Sequence, residues 1–359
     1  MGIKLRENCK YGVAAPTSMG IRITPSNGAP VHTSNTYSMQ ATSAESNVVN
    51  VASSLGIKGL VLTNFVEDSP ISYFIKSELR RRNIDYYGPD VPQGGPWGYR
   101  HQFNIADSGY GTRGPRVHND RAGEVGRVLN AKDFDFDRIF GEDGVQIFHL
   151  SGLVGAISKE TTAFCLDAAR AAKKHGSVIS FDLNHRASFW KGREEELRAG
   201  FMEIAEMTDI LIGNEEDYQL SLGVEGPKEG GADLASQIDG FREMIGRIKK
   251  ACPNAGIFGN TLRQVISVNE HIWGAITLFD DVWTVIDPRP IQILDRIGGG
   301  DGFAGGLLYG ILKGMAPDRA TQFGWATGAL AATVLEDYAT PADEEMVWSI
   351  YQGNARVKR

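Results

Sequence analysis

The chain has 359 residues, a formal net charge of −7, and a composition that is 42% hydrophobic and 23% charged. These values describe a soluble globular protein with room for a large core, two domains by length alone. The acidic balance argues against a nucleic-acid protein, while leaving space for an anionic ligand in a local basic pocket. Residues Met1 to Tyr11 are polar and carry no apolar stretch of the secretory type, and no apolar run is long enough to span a bilayer. Cys9, Cys165 and Cys252 lie far apart without metal-like spacing, which points to a reducing cytoplasm.

Tyr11 to Ile23 reads as an extended segment of small residues, followed by a turn-rich polar stretch from Ser26 to Tyr37. Ala44 to Leu55 reads as a helix, with Ala44, Val48, Val51, Ala52 and Leu55 on one face and Gly56 as its stop. Asn47, near its start, is either a ligand for hydroxyl groups or a solvated helix position. Leu60 to Thr63 is a short strand. Asp68-Ser69-Pro70 opens a second helix whose stripe is Ile71, Phe74, Ile75 and Leu79, and Ile84 to Tyr87 is the next strand.

Between Gly94 and Gly126 the pattern breaks. Tyr99 to Ile105 has strand character that need not belong to a main sheet, and Asp107 to Arg116 is loop-like. Arg100, Arg113, Arg116, His118 and Arg121 give this stretch a positive balance within an acidic chain. It is either a solvated surface excursion or a flap that carries cations to an anionic substrate; long loops within compact domains are often lids.

Beyond Gly126 short apolar strands alternate with helices. The strands are Val145–Leu150, Val178–Leu183, Ile210–Gly213 and Gly256–Gly259; the helices run from Thr161 to His175, from Glu194 to Glu206, from Glu215, and to Lys250. That alternation predicts an α/β fold, a mostly parallel sheet with helices on both faces. Ligands in such sheets sit beyond the carboxyl ends of the strands. Asp182, Asn184 and Arg186 follow one strand, Asn214 to Asp217 a second, and Gly259, Asn260, Thr261 and Arg263 a third. Ile272–Thr277 and Val282–Ile286 form an antiparallel hairpin around Asp280-Asp281. A helix from Gly302 to Lys313 and a final pair, Asp318–Leu335 and Asp343–Tyr351, close the chain.

The run Ile297-Gly298-Gly299-Gly300-Asp301-Gly302 precedes that late helix. Glycines leave backbone N–H groups uncovered, and the first turn of a helix adds unpaired N–H groups and partial positive charge, so the run can hold a phosphate. A carboxylate at the mouth of an anion site does not help bind the anion; it makes sense as a base for an attacking hydroxyl. Without further context, the same run also reads as a glycine-rich helix start capped by an acid.

Residues Asp295 to Gly306 closely resemble the signature of ribokinase-like sugar kinases, most of all the 2-keto-3-deoxygluconate kinases with their Asp-Arg before a triple glycine. Ala44 to Val48, Phe181 to Trp190, Asn214 to Asp217 and Thr261 to Arg263 resemble four further motifs of that family, in order, across nearly the whole chain. The resemblance implies a ribokinase-like fold, with residues 11–24, 41–94 and 127–351 forming the nucleotide- and substrate-binding α/β domain and residues 25–40 and 95–126 forming a β lid. It implies ATP and Mg2+ as cofactors and Asp301 as the base. The N–H groups of Gly298, Gly299 and Gly300 would stabilise the transferring phosphoryl group. Asn47, Arg121, Asn184 and Arg186 would bind substrate, Asn214, Gly259 and Arg263 the nucleotide, and Asp217 the metal through water. It further implies a homodimer through the lid and a small-molecule partner, with no nucleic acid or membrane.

The chain departs from the family at Thr17-Ser18, at Thr42-Ser43 in place of paired glycines, at Asn119 in place of a tyrosine, and at Asp217 in place of a glutamate. All but the change at Asp217 fall on the sugar side. The expectation is therefore an ATP-dependent kinase of a sugar acid such as 2-keto-3-deoxygluconate, with a ketohexose or nucleoside kinase, or a non-catalytic sugar-binding relative, as alternatives.

Overall fold

A computed structural model of the chain describes residues 2–227 and 238–354. The expected extended segment divides into two strands, β1 (Tyr11–Pro16) and β2 (Gly20–Pro25), which belong to different sheets because the chain bends at Thr17 to Met19. After β3 (Tyr37–Thr42) comes helix α1 (Ala44–Ser54), started by a capping box in which Ser43 and Ser46 satisfy each other's backbone N–H groups. Then follow β4 (Gly59–Leu62), β5 (Phe65–Val66), α2 (Pro70–Arg81), β6 (Ile84–Tyr87), β7 (Asp90–Val91), β8 (Gln102–Asp107) and β9 (Arg116–Asp120).

The regular second half contains β10 (Val145–Ser151), α3 (Gly152–Gly155), α4 (Lys159–Lys174), β11 (Val178–Asp182), α5 (Ala187–Trp190), α6 (Glu194–Met207), β12 (Ile210–Gly213), α7 (Glu215–Leu222) and α8 (Ile238–Ala251). It ends with β13 (Ile257–Ser267), β14 (Glu270–Phe279), β15 (Val282–Gln292), α9 (Gly299–Leu312), α10 (Pro317–Ala331) and α11 (Glu344–Tyr351). The expected hairpin around Asp280-Asp281 is present and longer than its apolar centre suggested. β13 runs on to Ser267 because its second half pairs with β14, even though Val265 and Ile266 are exposed and give no buried pattern to read.

The main sheet has nine strands in the order β15-β14-β13-β12-β11-β10-β1-β4-β6. From β13 to β6 every pairing is parallel; β14 and β15 are antiparallel at one edge. Each face has its own apolar layer. Phe164, Phe201 and Phe241 bring α4, α6 and α8 onto one face, and Val48, Leu307 and Phe323 bring α1, α9 and α10 onto the other. Side chains of this size contribute roughly 1.5–3 kcal/mol each when fully buried. Helix α9 is covered on almost all sides, and a Cβ at Gly305 would press into Val51 and the Val48 carbonyl, so that glycine sets how closely α1 approaches.

A four-stranded sheet, β3-β2-β8-β9, lies apart from the first. Strand alternation gives it two unlike faces. Arg22, registered with Gln40 and Asn104, lies on one face with Thr42, Gln102 and Asn119; Ile23, registered with Met39 and Ile105, lies on the other. Among the described residues no cysteine is paired and no helix is long and apolar enough to cross a membrane.

Candidate active site

Parallel strands all point the same way, so the loops after β11 and β12 gather beside the middle of β13 at one edge of the main sheet. There they meet the glycine run and the polar face of the small sheet, enclosing a cavity of about 500 Å³. The chain leaves β1 toward β4 and β6, then returns to place β10 on the other side of β1. Such a reversal of strand order opens a crevice for ligands.

The glycine run forms one wall. Gly298 takes a left-handed φ of 83° as the residue before α9, and a side chain there would collide with the Asp337 carbonyl. Glycine is therefore required by conformation and by space. Helix α9 begins at Gly299, earlier than the apolar stripe suggested, and the first i to i−4 bond closes from Gly302 N–H to the Gly298 carbonyl. The N–H groups before it have no partner within the helix. A Cβ at Gly300 would meet nothing within 4 Å, so the backbone there faces open cavity.

Asp301 stands in this first turn. Its carboxylate opens on the cavity and is otherwise surrounded by protein, and burial pushes it up to about 7. A hydrogen bond from Asn47 Nδ2 at 2.8 Å and the charge of Arg186 act the other way, while Asp337 and Glu45 reinforce the rise. Asn47 is thus no solvated helix position: it is 3% exposed, on a helix buried on nearly every side.

Further carboxylates crowd the floor. Asp182, at the end of β11, is held well above the ordinary range by burial and then by the charges of Asp217 and Asp301. Asp217 is raised by burial, against the backbone N–H groups of His185 at 2.9 Å and Asn214 at 3.0 Å that it accepts. Asn214 accepts the Asp217 N–H in return, which starts α7. Asn184 holds a positive φ of 36°, uncommon outside glycine, and its buried Oδ1 has no protein partner. A clustering of raised acids beside an anion cradle suits a cation and a phosphate held together, because each relieves the charge that the protein leaves uncompensated.

On the small-sheet side the cavity is lined by Thr42, Asn119 and Arg121, and Arg186 joins them from the loop after β11. Arg121 is paired with buried Glu124 at 2.6 Å and lies over the Phe189 ring. Arg186 donates to the His185 carbonyl at 2.8 Å, and its charge acts on Asp182 and Asp301. Asn214, Asp217 and Arg263 also line the cavity, with Arg296 nearby in the lining. Gly259 does not: a side chain there would face Leu307 and Phe303 of α9, so it serves helix packing beneath the site.

Three polar residues at or beside the site, Glu45, Arg22 and Asp337, escaped the sequence reading. Glu45 is buried, accepts Thr17 Oγ1 at 2.7 Å and the Val154 N–H at 3.3 Å, and is raised by burial. Arg22 is buried between Asp295 and Asp337 and ion-paired to both. An arginine between Ile21 and Ile23 reads as the ordinary alternation of a half-exposed strand, so its burial left no mark in the sequence. Glu45, in the first turn of a helix, left none either, since helix starts favour acids anyway.

Known proteins resemble this chain in sequence and in fold. The pfkB family carbohydrate kinase model matches residues 142–343, more than half of the chain. A 2-dehydro-3-deoxygalactonokinase of Haloferax volcanii is 27% identical over 345 residues, covering 94% of this chain and 96% of its own. A 5-dehydro-2-deoxygluconokinase of Clostridium perfringens is 29% identical over 210 residues, 58% of this chain and 55% of its own. The crystal structure of 2-dehydro-3-deoxygluconokinase from Thermotoga maritima superposes with a TM-score of 0.85 at 25% identity, covering 96% of this chain and 98% of that one. With the ribokinase-like fold, the glycine cradle and the family match in agreement, this chain belongs to the pfkB family of carbohydrate kinases.

Proposed function

We propose that the protein transfers the γ-phosphoryl group of ATP to a primary hydroxyl of a sugar acid, 2-keto-3-deoxygluconate being the first candidate. The observation that carries this reading is the carboxylate of Asp301, poised near 7 at the mouth of the glycine cradle in a cavity also lined by Arg121 and Arg186. Asp301 takes the proton of the acceptor hydroxyl, a role best filled by a group titrating near the working pH. The N–H groups of Gly298, Gly299 and Gly300 stabilise charge on the transferring group, and positioning supplies most of the remaining catalysis. Asn214 and Arg263 bind the nucleotide. Asp217, acting through water, is the residue suited to Mg2+, which when bound neutralises phosphate charge. Asn47 and Asn184 meet sugar hydroxyls, and Arg186 meets the acid group. The names of the relatives, which act on keto-deoxy sugars or sugar acids, support this substrate class.

One observation favours a neutral sugar as the second reading. Arg121 is already paired with Glu124, which leaves Arg186 as the principal cation for a carboxylate. A panel of sugars and sugar acids with ATP and Mg2+, read by ADP release, decides between them. Turnover of keto-deoxy acids above ketohexoses and nucleosides supports the acid reading. No turnover with any, alongside measurable sugar binding, would point to a non-catalytic relative.

We also infer that residues 25–40 and 95–126, which carry most of the small sheet, act as a lid over the α/β domain, and that this lid pairs with a second copy. The outer face of the small sheet carries Ile23 and Ile105 beside Tyr37 and Met39, which are 42% and 43% exposed. Sedimentation tests this: a dimer that Met39→Asp converts to monomer is expected, and a wild-type monomer at micromolar concentration sinks it.

A further inference from the structure

We infer that Arg22 is a positioning residue for both halves of the reaction centre, tying the small sheet to the glycine cradle through Asp295 and to Asp301 through Asp337, Thr42 and Asn47. This rests on the reading of Asp301 as the base. Arg22 lies on β2, its side chain wholly enclosed, and its guanidinium is ion-paired to Asp295 with one nitrogen and to Asp337 with another. Burial disfavours the charge, and the two carboxylates more than restore it.

The first arm reaches the cradle. Asp295 accepts the N–H of Ile297 at 3.0 Å, and so fixes the backbone immediately before Gly298. It also accepts Ser108 Oγ at 2.6 Å, from the loop after β8, which makes a second tie from the small sheet. The Asp337 backbone closes the same turn from the other side, since its carbonyl occupies the space above Gly298.

The second arm reaches the base. Thr42 Oγ1 lies 2.9 Å from Asp337 Oδ2 and 3.1 Å from Asn47 Oδ1, and it has one proton for two acceptors. Arg22 neutralises Asp337, weakening that carboxylate as a competitor and leaving the proton available to Asn47. With its oxygen so held, the Asn47 amide presents its N–H to Asp301. The opposite orientation would set an amide oxygen against a carboxylate. A lysine at position 22 would keep the charge but lose the fork that spans two carboxylates. Thr42 stands where the family carries glycine, so this linkage comes from the chain's own side chains.

Other charges also face Asp301: Glu45 from α1, Asp182 from the end of β11, Arg186 from the residue before α5, and Asp337 from the loop before α11. The test must therefore alter the relay without altering them. Thr42→Val keeps the shape and removes the proton; Thr42→Ser returns it. Thr42→Val is expected to lower kcat about tenfold or more, the cost of releasing a hydrogen bond made to a charged group, with KM for ATP nearly unchanged. The acid limb of its kcat profile moves to higher pH, and Thr42→Ser restores both. Arg22→Lys is expected to lower kcat similarly. If Arg22→Lys does not fold, Thr42→Val decides alone.

Wild-type kcat with an unmoved acid limb in Thr42→Val overturns the proposal, as does a rise in sugar KM alone. Titration of the Asp301 carboxyl by 13C NMR, assigned by its loss in Asp301→Asn, reads the same relay without turnover. An upward shift in Thr42→Val supports the proposal; no shift overturns it. Near-normal turnover in Asp301→Asn would instead remove the base reading, which keeps the two failures distinct.

Discussion

The side-chain amide of Asn47 donates to Asp301 Oδ2 at 2.8 Å, joining the first turns of α1 and α9 across 254 positions of sequence. It stabilises the ionised acid against the burial that raises it. Without this bond the carboxylate would hold its proton more tightly still.

A pH dependence follows. If Asp301 is the base, as proposed, its deprotonated form is the active one, and kcat/KM should fall as pH drops through about 7. Asn47→Ala removes an interaction that lowers this value, and the acid limb should move upward. A limb left in place would separate Asn47 from the tuning of Asp301.

Asp301→Asn should leave ATP binding close to wild type by calorimetry. Turnover should fall by roughly 10²–10⁴-fold, the usual contribution of a positioned base. Retained turnover would show that the acceptor hydroxyl needs no carboxylate at this place.

The same substitution should stabilise the fold. An acid raised from 3.8 to about 7 binds more protons folded than unfolded between those values, so stability falls as pH rises through that window. Asp301→Asn escapes this loss. Its Tm should exceed that of wild type by a few degrees at pH 8, and the gain should shrink as pH falls toward 4. Equal Tm values at pH 8 would mean that the burial penalty is offset elsewhere.

Arg186→Ala should weaken acid substrates about tenfold or more, the scale of a charge-assisted hydrogen bond, and neutral sugars much less. Arg121→Ala should discriminate less between them, because Glu124 already holds that guanidinium. Equal losses for acids and neutral sugars in Arg186→Ala would remove the carboxylate contact.

Gly298→Ala forces a side chain into a left-handed conformation and against the Asp337 carbonyl. Strain of that kind costs on the order of 1–3 kcal/mol before the collision is counted. Lower stability and poorer ATP binding are expected together; Gly300→Ala, facing open space, should fold as wild type.

The alternating α/β plan, the glycine run at a helix start, and the strand ends that supply Asn184, Arg186, Asn214 and Asp217 are all legible in the sequence. Each of these is written locally, in a run of apolar residues, a glycine that must take a positive φ, or an acid at a helix start. Which residues meet is set by the packing of distant segments. Asn47 could be read as a ligand or as a solvated position, because one helix face cannot report that α9 covers another. Gly259 looked like a ligand contact because a strand end does not disclose that Phe303 and Leu307 lie above it. Arg22, Asp295 and Asp337 stand more than 270 and 310 positions apart in pairs with Arg22, and no local pattern records an ion pair of that reach. Their meeting depends on the small sheet lying over the carboxyl edge of the large one, where burial turns isolated charges into a connected site.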